Sequence, residues 1–580
     1  MNQHTIRILS LTSLLALNGF AAAQTTSRLS ETLQMQQPGN ADSGRAYVSA
    51  DGRYVAFESE ADNLVAGDTN GVSDVFIRDL VGGWLHRVSI STGDVQADGA
   101  SGVHGVAVSA NGDFVAFASR ANNFVAGHTG AFNDIFVRDR GFHRTAWVSV
   151  NKDGVEANGD SEWPSISADG RYVVFQSTAN DLVAGDAAWT DVFVRDTVAN
   201  TTTRVSVDPQ GGSANAHAIV GAGAISADGR FVVFSSVASN LVAGDTNGMG
   251  DIFVRDMQSG TTQRVSLGLG GAQANAMSYQ PAISANGRHV IFRSDASNLV
   301  AGDTNAMGDV FTFDRNTGVT ERVSVASDGT QGNFLSGLDA VSISLDGRFA
   351  CFASFATNLV PFDTNNMPDV FVHDSLTGVT ERVSVHLAGA QSNGACEGAS
   401  MSRDGQVIAF WSSATTLVDG PSGGSRHVYA HNRADFDVVG YCTGSQSANG
   451  CTSVISGLGF PTVSGNVELT LLVTDIDAGR QGMIFYGIDN TAFAPTPWGS
   501  GFLCVKAPLQ RTPIQTTFGE PFSCAGEILL NWSDYMTSHP SALGNPLQVG
   551  KHFYAQGWHR DPGSPNHGAL SNALAFAVQP

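Results

Sequence analysis

The chain has 580 residues, a formal charge of −22, and 42% apolar against 14% charged side chains, a globular rather than a disordered composition. Only three residues are lysine (Lys152, Lys506 and Lys551) and no basic run occurs, which argues against nucleic acid or anionic lipid as the main partner. Cations, basic polymers and neutral ligands stay open.

The first segment pairs a short basic region, Met1–Arg7, with an apolar stretch, Ile8–Phe20, and a small-residue cleavage site, Ala21-Ala22-Ala23. Residues 1–23 therefore read as a secretory signal peptide. The expectation is export to the periplasm or outside the cell, where disulfides form. No later stretch approaches the roughly 20 apolar residues of a membrane helix.

A period then takes over. Asp51-Gly52 recurs as Asn111-Gly112, Asp169-Gly170, Asp228-Gly229, Asn286-Gly287, Asp346-Gly347 and Asp404-Gly405, at spacings of 58 to 60 residues. Each copy reads as four short strands. In the fourth copy these are a run ending at Ala224-Ile225-Ser226, the strand 230–235 after the Asp-Gly turn, the strand 251–256 after a polar loop, and Gln263-Arg264-Val265-Ser266. Four antiparallel strands repeated seven times predict a seven-bladed β-propeller over 24–436. The seventh copy lacks its Arg-Val-Ser strand, whereas Ser27-Arg28-Leu29-Ser30 precedes the first copy. The N-terminal strand is expected to complete the last blade and close the ring.

The run Ser49-Ala50-Asp51-Gly52-Arg53-Tyr54-Val55-Ala56-Phe57 resembles the repeat of TolB-like propellers, in which a Ser-x-Asp-Gly-[Arg or Lys] turn leads into a β-branched and aromatic strand. The resemblance covers all seven copies and implies the fold. Such propellers serve as binding platforms for many partners and also occur on enzymes, so it implies no single activity.

Composition shifts after residue 440. Residues 440–580 hold eleven of the eighteen prolines and four of the six cysteines, and are expected to form a β-sandwich-like domain. Strands are read at Val467–Val473 and in the apolar terminus from Ala573. Cys442 and Cys451 bracket a short polar segment and Cys504 and Cys524 about twenty residues, so each pair is a candidate local disulfide. Cys351 reads as a small core residue, and Cys396 has no evident partner. Tyr441-Cys442-Thr443-Gly444, the run from Pro497 to Cys504 and the run from Gln556 to Pro562 resemble C-terminal domains on secreted proteins of planctomycete-type bacteria. That resemblance implies a compartment and no chemistry.

Four copies carry Asp-x-Asn-x-x-x-Asp in the loop before the third strand: Asp68, Asn70 and Asp74; Asp245, Asn247 and Asp251; Asp303, Asn305 and Asp309; and Asp363, Asn365 and Asp369. Alternating oxygen ligands in a tight loop suit Ca²⁺. Turn stabilisation by the same side chains is the competing reading. The second copy has His128 in the first place, the third is one residue short (Asp186 and Asp191), and the seventh lacks the motif, so seven equivalent calcium sites are excluded. A second polar element, exemplified by Gln273-Ala274-Asn275 and Glu156-Ala157-Asn158, lies between one copy's fourth strand and the next copy's first. Both elements belong on one face, which would make it polar and acidic.

Catalytic motifs are sparse. Gly420-Pro421-Ser422-Gly423-Gly424 matches a nucleophile elbow by letter but lacks the strand-to-helix context. Trp498, Trp532, Tyr535 and Trp558 could stack on sugars or fill a core. The sequence thus supports an exported, non-enzymatic, monomeric binding or scaffold protein for an unidentified protein or carbohydrate at the cell envelope, with Ca²⁺ as a candidate ion. The alternatives are a propeller hydrolase or lyase using the central channel, and carbohydrate binding by the C-terminal domain.

Overall fold

The structure, a computed structural model, describes residues 25–577 except 34–36, 187–188, 387–388, 434–437, 442–446, 448–450, 452, 459–468, 477–478, 489–495, 499–500, 504, 508, 518–525, 544–551 and 563–567. The expected signal peptide lies outside these residues. Among the described residues no helix is long and apolar enough to cross a membrane.

Seven four-stranded antiparallel sheets follow one another and form the blades of a β-propeller. Blade 1 runs from its innermost strand, Ser43–Val48, through Tyr54–Ser59 and Asp74–Asp79 to the outermost, Leu85–Arg87. The six others repeat this order. In blade 7 the outermost strand is Thr25–Arg28, which pairs with His427–Asn432 in register Thr25↔Asn432 to Arg28↔Tyr429. The chain's own beginning therefore closes the ring, as the missing Arg-Val-Ser strand requires.

The second and third strands are buried on both faces, which explains their near-continuous apolar runs. One phenylalanine from each stacks on the other, as in Phe234 and Phe253 at 5.7 Å between ring centres. The core then continues between sheets, with Val174 of blade 3, Val232 of blade 4 and Val290 of blade 5 in one cluster. Burying each such phenylalanine contributes about 2 kcal/mol.

The Asp-Gly turn is a small machine for holding the next blade. Asp228 accepts from Ser226 Oγ at 2.6 Å and from the Arg230 N–H at 3.0 Å. Gly229 adopts φ +74°, and a Cβ there would stand 2.2 Å from the Tyr172 ring of the preceding blade. At the same end a belt of backbone hydrogen bonds runs from blade to blade, Ala110 to Ala168, Ala168 to Ala227 and Ala227 to Ala285, and Arg403 N to Ala50 O joins blade 7 to blade 1.

Blade 4 differs from its sequence reading. Its innermost strand is only Ala218–Ile219, with Ile225 rejoining the sheet by a single bridge to Val232. Gly221-Ala222-Gly223 interrupts it, and Gly223 turns through φ +67°.

After Asn432 the next strand, Val438–Tyr441, pairs with Gly568–Ala577 in a six-stranded sheet, opposite a three-stranded sheet formed by Val454–Leu458, Thr470–Ile476 and Gly526–Asn531. Leu471 and Val473 of one sheet share a core with Ile484, Tyr486 and Phe553 of the other, a sandwich-like arrangement. One short helix, Trp532–Ser538, is capped by Asn531, whose side chain accepts from the Asp534 N–H.

Candidate functional site

The Asp-x-Asn-x-x-x-Asp loops do converge, but on an arginine. In blade 1, Arg87 Nη1 lies 3.0 Å from Asp68 Oδ1 and 3.3 Å from Asp74 Oδ2. Asn70 donates to Asp74 at 3.0 Å and to the Ala97 carbonyl. Ser89 donates to the other Asp74 oxygen while accepting from the Val75 N–H. Arg264 does the same for Asp245 and Asp251 at 3.0 and 3.3 Å, with Asn247 and Ser266 on Asp251. Arg322 joins Asp303 and Asp309, both at 3.5 Å, with Asn305 on Asp309. Arg382 joins Asp363 and Asp369, both at 3.4 Å, with Asn365 on Asp369.

The guanidinium thus supplies the positive charge that the spacing assigned to Ca²⁺. Asp74, Asp251, Asp309 and Asp369 are fully buried, and the first aspartates nearly so. These residues therefore turn inward, which corrects the expected acidic face. Burial raises the carboxyls of Asp74, Asp309 and Asp369 above the usual range despite the arginines. In blade 6, burial and then the charge of Asp369 push Asp363 up to about 6.

The sequence reading missed the arginine because it stands thirteen residues beyond the second aspartate, inside the Arg-Val-Ser strand. One signal was available. Where blade 2 replaces the first aspartate by His128, its fourth strand also replaces arginine, by Trp147. Blade 7 substitutes at the second place: His427 accepts the role of the aspartate, bonded to Ser30 at 3.1 Å, and Arg28 turns to the Pro421 carbonyl.

The second polar element stays exposed, but its side chains bond back to the protein. Asn275 bonds the loop of its own blade through Ser297 and Asn298, and Asn158 does so through Asn180 and Asp181. Arg-Asp pairs tie strands and blades. Asp196 accepts from Arg171 at 2.7 Å, which holds its carboxyl down to about 2, and Arg138 reaches Asp94 of blade 1 at 2.7 Å.

The central channel has about 180 Å³ of free volume, lined by the innermost strands with alanine, valine and isoleucine. Among the described residues its lining holds no carboxylate and no histidine. Its mouth on the loop face is different. There the innermost strands of all blades but the fourth bulge, and Arg45, Trp163, Gln280 and Asp339 take φ of 47°, 55°, 53° and 61°. Such left-handed, non-glycine backbone costs about 1–3 kcal/mol per residue and gathers where geometry serves a ligand.

The side chains of these residues cross between blades. The Arg45 guanidinium of blade 1 lies 4.7 Å from the Trp163 ring of blade 3. Gln280 donates to the Asp339 carbonyl at 3.0 Å, and Trp411 Nε1 donates to the Asp339 carboxylate at 3.3 Å. His104 and Glu162 pair at 3.0 Å. Burial raises the carboxyls of Glu58 and Glu397, with Asp339 adding to the rise at Glu397. A rim of half-buried aromatic rings, arginine and carboxylates therefore surrounds an apolar throat.

No protein-family model and no curated protein matches the chain. Among solved structures it is similar to a putative TolB from Agrobacterium tumefaciens, at 15% identity and TM-score 0.31 over 52% of this chain and 87% of that one. It is also similar to the Dos1 propeller, at 11% identity and TM-score 0.35 over 71% and 95%. The seven-sheet topology itself carries the fold assignment.

The remaining predicted residues fall outside the rim. Cys442, Cys504 and Cys524 lie outside the described residues, and Cys451 is buried and disulfide-bonded. Cys351 and Cys396 are buried free thiols. Cys396 stands where five other blades place a serine and blade 4 an alanine, 3.2 Å from Ser412 Oγ, and burial pushes its thiol up to about 12. Trp532 and Tyr535 are buried in the sandwich core, and Trp558 is partly buried against Phe485 and Leu570. Ser422 lies in a loop, its carbonyl bonded to His427.

Proposed function

We propose that this is an exported, non-enzymatic binding protein that holds a polypeptide partner at the loop-face mouth of its channel. The observation that carries this reading is the set of four strained, non-glycine residues whose side chains bridge blades around the opening. An arginine stacked on tryptophan, with carboxylates alongside, offers charge of both signs and flat apolar surface to an extended segment. The Asp-x-Asn-x-x-x-Asp loops act as internal clamps that stiffen the blades beneath, with arginine in the role first given to Ca²⁺.

The test is capture of partners from envelope and medium fractions by the wild type and by Arg45→Ala with Trp163→Ala. A defined protein retained by the wild type and lost by the variant, at unchanged thermal stability, supports the mouth. Equal capture by both overturns it.

A second reading, a hydrolase or lyase working at the mouth rather than inside the channel, is favoured by two carboxyls raised by burial, Glu58 bonded to Ser73 and Glu397 with Asp339 as neighbour. Turnover of any substrate abolished by Glu397→Gln would establish it in place of the first.

A further inference from the structure

Blade 2 departs from its siblings at three places of the clamp at once. His128 stands for the first aspartate and Trp147 for the arginine. Glu156 stands for the glutamine that the siblings carry as Gln96, Gln273, Gln331 and Gln391. In blades 1, 4, 5 and 6 this spot holds one arginine between two carboxylates. Here two carboxylates remain, Asp134 and Glu156, and the guanidinium is gone.

His128 Nε2 lies 2.9 Å from Asp134 Oδ2 and 3.7 Å from Glu156 Oε1. One atom from each residue falls within 4.8 Å of the others. The imidazole is fully buried, held edge-on to Phe136 and Trp147, and its Nδ1 makes no hydrogen bond. Three separate elements supply the groups, and each carboxylate is held by a hydroxyl. Ser149 donates to the other oxygen of Asp134 at 2.5 Å, and Thr129 Oγ1 donates to Glu156 Oε1 itself at 2.9 Å, an oxygen that would serve both the hydroxyl and an ion.

We propose that blade 2 binds a divalent first-row transition ion, with Zn²⁺ the fitting member, through His128 Nε2, Asp134 Oδ2 and Glu156 Oε1. One imidazole nitrogen and two carboxylate oxygens suit this class and leave a fourth position for water. Two carboxylates and one imidazole nitrogen match a divalent ion, where the siblings' two aspartates are matched in part by one arginine. Glu156, the most exposed of the three, gives the ion its way in. The site would fix the loop of His128 to the connection of Glu156, the task the arginine clamps perform in other blades.

The experiment uses the full chain, stripped with chelator and titrated with Zn²⁺ by calorimetry, with Co²⁺ visible absorption as a second readout. Two variants serve as controls because they install sibling chemistry: Glu156→Gln, and His128→Asp with Trp147→Arg. The expected result is that each variant binds one equivalent fewer than the wild type, and that Zn²⁺ raises the melting temperature of the wild type alone. Failure of the wild type to bind, or equal stoichiometry in all three proteins, overturns the proposal.

Discussion

Blades 4 and 2 solve one problem with different chemistry. Both must join the loop before the third strand, the fourth strand and the connection to the next blade at a single buried point. Blade 4 uses Arg264 between Asp245 and Asp251. Blade 2 uses His128 against Asp134 and Glu156, with Trp147 filling the arginine's volume. The serine is retained in both, as Ser266 and Ser149, each bonded to its aspartate at 2.5 Å. The hydroxyl that satisfies a buried carboxylate is thus the constant, and the countercharge is the variable.

The sharpest way to break this comparison is to delete the shared aspartate. Asp251→Ala takes one of two carboxylates from the buried Arg264, leaves Asn247 and Ser266 without that acceptor, and is expected to cost about 3–5 kcal/mol in urea unfolding. Asp134→Ala removes the acceptor of Ser149 and one of the two carboxylates beside His128, with an expected loss of about 1–3 kcal/mol. Equal losses would show that the two points are equivalent.

Next comes the turn that locks neighbouring blades. Gly229→Ala places a Cβ at positive φ against the Tyr172 ring and is expected to destabilise by about 2–3 kcal/mol. A melting temperature unchanged from wild type would show that the blade interface gives way freely.

A smaller effect is expected from pH. The folded pKa of Asp363, about 6, lies above the unfolded value of about 4, so the native state keeps that proton longer. The native state therefore loses stability as pH rises through about 4 to 6. Melting temperature measured across this window is expected to decline, and less steeply in Asp363→Asn. An identical slope in both proteins would remove Asp363 as its source.

The smallest expected effect is that of calcium. With arginine between the carboxylates of blades 1, 4, 5 and 6, adding Ca²⁺ or a calcium-selective chelator should leave the melting temperature unchanged. A rise with Ca²⁺ that disappears in Asp245→Ala with Asp251→Ala would restore the calcium reading.

How far the sequence reached depends on the range of the interaction concerned. The Asp-Gly turns were legible because Ser226, Asp228 and Gly229 settle their geometry within a few residues. The closing strand was legible because a periodic chain shows what it lacks. The clamp was half legible: Asp245, Asn247 and Asp251 share one loop, but Arg264 meets them only after a hairpin, and a strand arginine carries no local sign of where its guanidinium goes. The rim was least legible. Arg45 and Trp163 are more than a hundred residues apart and in non-adjacent blades, and each looks unremarkable in its own repeat.

By itself, then, the amino-acid sequence determined the seven blades, their four-strand order and the closure of the ring, because period, alternation and turn chemistry are local and repeat themselves. The tertiary structure decided what the acidic loops hold, where the charge is neutralised and which side chains surround the channel. These depend on groups brought together from different strands and blades, where burial, not spacing, selects the partner of each charge.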